Sequence, residues 1–343
     1  MPNQKSYYFH FSALIIAVLC MFLVNIASGS VSIPVKEVIN SIFGFKVEKE
    51  TWNYIILSFR LPKAITAVLV GMGLSISGLL MQTLFRNPLA GPYVLGLSSG
   101  SSLGVAFVIL GAAFLPVSIQ PFLNSSFSII FAAFLGSTLV LAAVVLVAQK
   151  LRDTMSILIV GLMFANFTGA IVGVLIYFGS AEQLQKFTFW GLGNLGNLPW
   201  SSVATLAGCI FAGLILGVFS IKPLNALLLG ENYARSLGLN YKRTQLIIIF
   251  ATSILASSIT AFVGPIAFLG LAVPHIAKLI FQTSNHRILF WATMIFGAFT
   301  MLVCDTIAQL PGLDFTLPIN AVTSIVGAPV VVWLLLRKRK MIL

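Results

Sequence analysis

Charged side chains are scarce in this chain. Asp, Glu, Lys and Arg together make up 8% of its 343 residues, whereas soluble domains carry about 25%. Hydrophobic residues account for 59%, and the mean hydropathy is +1.04. A soluble core cannot bury this much apolar surface, so the composition excludes a soluble protein and predicts that the chain is dissolved in lipid.

Cysteine pairs and nucleotide-binding signals are also lacking. Cys20, Cys209 and Cys304 each lie inside an apolar run, and no CxxC pair occurs, so we expect neither a disulfide framework nor a metal site. No glycine immediately precedes a lysine, which excludes a GxxxxGK[ST] phosphate loop. Any work driven by ATP must therefore come from another polypeptide, and we expect no cofactor on this chain.

Long apolar runs dominate what is present. They are about 20 residues long and lack the alternation of a barrel strand, so we predict helices, which satisfy every backbone polar group in lipid. The length fits an all-α integral membrane protein with one transmembrane domain over 1–343 and about ten spans. We place these spans at 9–28, 62–84, 93–115, 127–148, 155–178, 203–221, 241–263, 267–281, 288–309 and 318–336.

The basic residues orient these spans. With the N-terminus inside, the inner side holds 14 of the 20 basic residues and two acidic residues, whereas six basic and six acidic residues fall outside. This asymmetry follows the positive-inside rule and places both termini in the cytoplasm. The net charge of +12 is therefore a signal of membrane topology, and we expect no nucleic-acid partner.

A polar, basic segment, PLNALLLGENYARSLGLNYKRTQ (223–245), interrupts two apolar runs on the inner side. Glu231 and Arg235 have the i,i+4 spacing of a helical ion pair. Gly230 breaks the chain before them, and Gly238 suits the position after a helix end. Such a segment in so apolar a chain indicates that a soluble partner grips it.

We predict two short helices within this segment, at about 223–229 and 231–237, folded against the membrane. One face of the pair would carry an ordered apolar patch, which a merely solvated loop does not need. The residues on that face would be Leu229, Tyr233, Ala234 and Leu237.

One acidic residue, Asp305, falls within a predicted span, near its outer end. We expect it at the outer surface, where it meets a partner or a helix end. A carrier driven by an ion gradient usually needs ionisable groups or broken helices near the membrane midplane. The scarcity of membrane carboxylates therefore disfavours, without excluding, an ion-coupled secondary carrier.

Five ordered sequence blocks carry a resemblance over nearly the whole chain. They are RLPKAITAVLVGMGLSISGLLMQTLFRNPLAGPYVLGLSSG (60–100), FWGLGNLGNLPW (189–200), LGENYARSLGL (229–239), GPIAFLGLAVPHIAK (264–278) and LPINAVTSIVGAPVVVWLLL (317–336). In these blocks the chain resembles the FecCD/BtuC-type permeases of bacterial ABC importers for iron chelates, haem and vitamin B12.

The resemblance implies a transport subunit of the bacterial inner membrane that is not an enzyme. It implies separate ATP-binding cassette subunits below, which would hold ATP and Mg, and a periplasmic substrate-binding protein above. It also implies a second permease copy, so that a homodimer or close heterodimer would enclose the translocation path in the lipid bilayer.

The resemblance also implies site residues. Coupling to the ATPase would involve Leu229, Gly230, Glu231, Ala234, Arg235, Leu237 and Gly238. Docking of the binding protein would involve Arg60 and Lys63, and the cytoplasmic gate would lie at Thr154 and Met155. The fifth and tenth spans would line the path, with the polar residues Asn166, Thr168, Asn320, Thr323 and Ser324.

Two positions depart from the family pattern. Gln309 stands where the family often has an arginine, so docking would rest more on Arg60 and Lys63. Lys278 stands where the family favours arginine and keeps the charge without the bidentate fork. His275 lacks partner ligands in the sequence, so we interpret it as a structural hydrogen-bonding residue.

The substrate expected first is an iron(III)-siderophore complex. Haem and cobalamin permeases share the same blocks and are the alternatives within the family. The alternatives from other classes are the ion-coupled secondary carrier and a membrane scaffold that binds without transporting.

Overall fold

The chain folds into helices. The computed structural model describes residues 4–111, 125–148, 154–196, 198–309 and 315–339, and these ranges contain no strand. The described helices are α1 (Gln4–Ala27), α2 (Val35–Ile42), α3 (Glu50–Leu84), α4 (Leu97–Ile109), α5 (Ser126–Ala148), α6 (Thr154–Phe178), α7 (Ala181–Gly191), α8 (Trp200–Phe219), α9 (Ile221–Leu227), α10 (Glu231–Ser236), α11 (Tyr241–Val263), α12 (Leu269–Phe281), α13 (His286–Ala308) and α14 (Ile319–Arg339).

Ten of these helices correspond to the ten predicted spans. Seven are long and apolar enough to cross a membrane, namely α1, α3, α5, α6, α8, α11 and α13. The other three, α4, α12 and α14, contain shorter apolar stretches. The prediction of an all-α membrane bundle is therefore confirmed.

Helix α3 is longer than predicted. The sequence predicted a span beginning at 62, but the helix already begins at Glu50 and runs for 35 residues, with a π turn at Ile56–Arg60. At 1.5 Å per residue it is about 52 Å long, whereas the hydrocarbon core is about 30 Å thick. The helix is therefore longer than the hydrocarbon core is thick. Its first turns, from Glu50, precede the apolar run that predicted the span.

Helix α3 also lies at the centre of the bundle, where it packs against α13, α11, α12 and α8. Glycines permit the closest contacts. A Cβ added to Gly71 would overlap the carbonyl of Gly297 in α13, and one added to Gly78 would overlap the carbonyl of Gly270 in α12. Backbones in lipid approach this closely only where side chains are absent, and such packing is a main source of association between membrane helices.

Helix α12 contains a proline whose missing hydrogen bond is replaced by a side chain of α3. Pro274 lies inside it and cannot donate to the carbonyl of Gly270, four residues earlier. Gln82 Nε2, in the last turn of α3, donates to that carbonyl at 3.0 Å and to the carbonyl of Leu271 at 3.1 Å. The side chain thus satisfies the backbone acceptor that proline leaves open, as lipid requires.

We expect Gly78→Ala to lower the thermal midpoint of the protein in detergent, because the added methyl group collides with α12. The matched control is Gly208→Ala in α8, an exposed position where a Cβ meets nothing within 4 Å. The control should be neutral or slightly stabilising, by up to about 1 kcal/mol from helix propensity. Equal midpoints for the two variants, measured by size-exclusion thermal scans, would contradict the packing described.

Candidate functional site

The inner helix pair consists of α9 and α10 together with the residues that join and follow them (221–238), close to the positions predicted from the sequence. Gly230 separates them with φ +115°, and Gly238 follows α10 with φ +83°. The amide of Gly238 donates to the carbonyl of Arg235 at 2.9 Å, and that of Leu239 to the carbonyl of Ala234 at 3.1 Å. This is a Schellman end, so the prediction that Gly238 terminates the helix is confirmed.

The inner helix pair presents an apolar face to solvent. Leu229 is 65% exposed, Tyr233 53% and Leu237 62%. Ala234, which the sequence placed on the same face, is fully buried, so that part of the prediction is wrong. The short α10 turns Ala234 toward the bundle, and a bulky residue there would test internal packing before it tested any contact with a partner.

One ion pair braces α10. Arg235 Nη2 donates to Glu231 Oε1 at 2.6 Å, and the Arg235 guanidinium carbon lies 5.4 Å from the ring centroid of Tyr241. Exposed pairs of this kind contribute about 0.3–0.5 kcal/mol, and an exposed cation–π contact about 0.5–1 kcal/mol. Together they hold α10 against the start of α11 while leaving the apolar face open.

On the opposite side, Arg60 is already engaged within the chain. Its Nη1 donates to the carbonyls of Ile26 and Ala27 at 2.8 and 3.0 Å, and its Nη2 donates to the carbonyl of Val31. The guanidinium thus satisfies the open carbonyls at the end of α1, where a cation also interacts favourably with the helix dipole.

Asp305 is at the centre of an outer polar cluster, defined as Asn25, Lys63, Asp305, Thr306 and Gln309. Lys63 Nζ lies 3.1 Å from Asp305 Oδ1, and Asp305 Oδ2 accepts from Asn25 Nδ2 at 2.9 Å and from Gln309 Nε2 at 2.8 Å. Asp305 is 1% exposed. The expectation that it lies at the outer surface is therefore wrong. Three donors compensate for its burial, one from α1, one from α3 and one from Gln309, which follows α13.

The two basic residues proposed for docking line one shallow depression of about 330 Å³, together with Phe59, Gly196 and Gln309. An acidic partner group could approach this depression, but it would meet cations that already have acceptors. Docking through Arg60 and Lys63 stays a prediction. Charge reversal at Lys63 would also break the buried pair with Asp305, so reversal alone does not isolate docking.

The residues proposed for the path have different environments. Asn166 in α6 is exposed. Thr168 and Thr323 are buried, and their hydroxyls donate to carbonyls of their own helices. Ser324 does the same, donating to the carbonyl of Asn320 at 2.7 Å.

Asn320 has a structural bond as well, because its Oδ1 accepts from the amide of Ala267 at 3.1 Å. Helix α6 begins at Thr154, but the side chains of Thr154 and Met155 lie outside the described part of the structure. Path and gate therefore stay predictions, with Asn166 as the most accessible polar candidate.

His275 makes a structural contact. Its Nε2 lies 3.0 Å from the carbonyl oxygen of Pro88, as the sequence suggested. Within the described ranges, no three His, Cys, Asp or Glu side chains come together as a possible metal site.

Sequence reasoning missed two groups of polar residues that join distant helices. Asn25 and Gln309 belong to the outer polar cluster, and Asn225 and His286 meet beside the inner helix pair. A partial signal exists for Asn25, a lone amide inside an apolar run. The partners of Asn225 and His286 could not be predicted, because they lie 61 residues apart along the chain.

Comparison with known proteins places nearly the whole chain among transport proteins. The model of the FecCD transport family matches residues 15–337. The hemin transport system permease protein HmuU of Yersinia pestis is 33% identical over 329 residues, covering 95% of this chain and 96% of that protein. The vitamin B12 import system permease protein BtuC of Klebsiella pneumoniae is 32% identical over 327 residues, covering 95% and 93%.

Solved transporter structures also resemble this chain over most of its length. An inward-facing conformation of a metal-chelate type ABC transporter superimposes with a TM-score of 0.82 at 27% identity, covering 96% of this chain and 99% of that chain. PsaBC from Streptococcus pneumoniae gives a TM-score of 0.56 at 15% identity over 87% of this chain, which shows the fold alone.

We expect Asp305→Asn to destabilise the protein by about 3 kcal/mol, because it leaves Lys63 unpaired among buried groups. Adding Lys63→Met should recover part of that loss, since the unpaired charge is then gone. The matched control, Glu182→Gln, breaks an exposed pair with Lys186 and should leave the thermal midpoint nearly unchanged. The thermal midpoints of the single and double variants are measured in detergent. If the changes caused by Asp305→Asn and Lys63→Met simply add in the double variant, the two side chains are not coupled and the pair is rejected.

Proposed function

The chain belongs to the FecCD transport family and is the membrane permease subunit of an ABC importer, and from this premise we propose that it imports an iron(III)-siderophore complex. The subunit is a transport component and not an enzyme, because ATP is hydrolysed by separate ATP-binding subunits in this family. A substrate-binding protein is the other expected partner.

The observation that carries the substrate proposal is the likeness, over nearly the full chain, to a metal-chelate type transporter. Helix α6 fits such a substrate chemically. It contains no charged residue, and its exposed side chains are mostly large and apolar, including Ile159, Met163 and Phe167. A surface of this kind lets a bulky chelate slide without a tight site that would retain it.

Haem and cobalamin are the second candidates. The specific observation in their favour is that HmuU and BtuC, named for hemin and vitamin B12, are 33% and 32% identical to this chain. The exposed face of α6 is compatible with either compound. The substrate must therefore be identified by measuring uptake, because the path does not distinguish the candidates.

The proposal includes a homodimer in the bacterial inner membrane. The exposed apolar face of α6 and the polar Asn166 would then lie between two copies and enclose the path. Alternating access follows if nucleotide binding favours one of two arrangements of the inner helix pair, because a ligand shifts an equilibrium only through differential affinity. The gate would open near Thr154 and Met155.

The substrate proposal is tested by uptake into proteoliposomes that contain the permease, its ATP-binding subunit and its binding protein. We expect ATP-dependent uptake of ⁵⁵Fe-loaded siderophore, with little uptake of hemin or cyanocobalamin. Uptake of only hemin or only cyanocobalamin would reject the siderophore proposal and assign that compound as the substrate. Uptake driven by an ion gradient without ATP would overturn the importer mechanism itself.

Contact with the ATP-binding subunit is tested at Leu229. We expect Leu229→Asp to weaken assembly about tenfold or more, since a charge would replace an exposed apolar anchor. Phe43→Asp is the matched control, because Phe43 is 70% exposed and lies on the predicted outer side. Affinities are measured by titrating labelled ATP-binding subunit onto permease in nanodiscs, and equal affinities for the two variants would reject the contact.

A further inference from the structure

A buried imidazole ties the inner helix pair to the bundle. His286 is the first residue of α13 and is 1% exposed. Its backbone amide donates to Asn225 Oδ1 at 2.8 Å, and its Nδ1 lies 3.0 Å from the same oxygen. Since Asn225 belongs to α9, one amide side chain joins α9 to the start of α13.

The same imidazole reaches α3. His286 Nε2 lies 2.9 Å from Thr83 Oγ1, in the last turn of α3. Just beyond that turn, Arg86 Nη2 donates to the carbonyl of Leu227 at the end of α9, at 3.2 Å. Two separate hydrogen-bonded connections therefore join the C-terminal end of α3 to α9. We call Thr83, Arg86, Asn225 and His286 the inner junction.

The donor and acceptor groups of the inner junction fix the direction of each of its hydrogen bonds. Asn225 Oδ1 must be the oxygen, because the backbone amide of His286 can only donate. Nδ1 then carries the proton that it donates to the same oxygen, and in a neutral imidazole Nε2 accepts from the Thr83 hydroxyl. Asn225 Nδ2 is also satisfied, by Asn285 Oδ1 at 3.1 Å. The network is half-buried around the buried His286, and a polar network whose groups are all satisfied is directional and rigid.

The helix that receives these bonds also reaches the outer side. Twenty residues separate Thr83 from Lys63, which corresponds to about 30 Å along α3. Between them, Gly71 and Gly78 bring the backbone of α3 into direct contact with α13 and α12. A displacement of α9 therefore has a continuous path of packed and hydrogen-bonded groups to the outer polar cluster.

We propose that the inner junction passes movement of the inner helix pair to α3 and α13, with Asn225 and His286 as positioning residues of the transport cycle. This rests on the proposed function in one respect, namely that an ATP-binding subunit moves the pair. It goes beyond that function because it names the side chains through which the bundle follows.

The experiment measures a distance that nucleotide changes at the outer end of α3. A spin label is placed at Tyr54→Cys, an exposed position, after Cys20→Ser, Cys209→Ser and Cys304→Ala. Double electron–electron resonance then gives the label separation across the assembled complex in nanodiscs, with and without ATP and vanadate. No substrate is needed, so the outcome does not depend on which chelate is imported.

Asn225→Ala removes the acceptor for both His286 donors, whereas Asn225→Asp keeps an oxygen for them at a helix N-terminus that favours negative charge. We expect the nucleotide-driven distance change in wild type and in Asn225→Asp, and its loss in Asn225→Ala. In liposomes, substrate moved per ATP hydrolysed should fall roughly five- to tenfold for Asn225→Ala. Asn240→Ala, which removes the cap of α11 on the same side, should keep the wild-type ratio.

A merely structural role gives different results. Asn225→Ala would then assemble less well, yet the assembled fraction would keep both the distance change and the transport ratio, and the proposal would be overturned. A wild-type complex without any distance change would overturn it as well. If Asn225→Ala loses the distance change that the wild type shows, but siderophore uptake is absent, the inner junction stands and the substrate proposal falls.

Discussion

The close approach of glycine backbones around α3 is the contact on which the rest of the structure depends. In lipid the hydrophobic effect does not drive helices together, so backbone contact and interhelical hydrogen bonds must hold them. Gly71 against Gly297 and Gly78 against Gly270 leave no space for even a methyl group. As a result, α3 is in direct backbone contact with α12 and α13, and it joins the polar groups at its two ends.

Polar side chains are used in this bundle to join helices. The outer polar cluster connects α1, α3 and α13, and Gln82 compensates for the proline in α12. The inner junction connects α3, α9 and α13. The exposed face of α6, by contrast, is largely apolar. Specific hydrogen bonds thus hold these helices together, while the surface proposed for the substrate makes few of them.

Composition and periodicity predicted the helices well, because the bilayer permits few alternatives for an apolar run. The end of α10 was also predictable, since glycine readily adopts the positive φ that this helix end requires at Gly238. Side-chain direction was not. Ala234 faces inward because α10 is short and leans on its neighbours, and Asp305 is buried because donors from three helices surround it. The start of α3 was missed because its first residues, ETWNYI (50–55), are too polar to belong to the apolar run that predicted the span.

We propose that an ATP-binding subunit contacts the exposed face of the inner helix pair and that the bundle follows through α3. A cryo-electron microscopy structure of the assembled complex in nanodiscs would show both contacts at once. We predict that Leu229, Tyr233 and Leu237 lie in a cleft of the ATP-binding subunit, with Asn225 still bonded to His286. An ATP-binding subunit seated elsewhere on the inner surface, or an α9 detached from α3 and α13, would contradict the account.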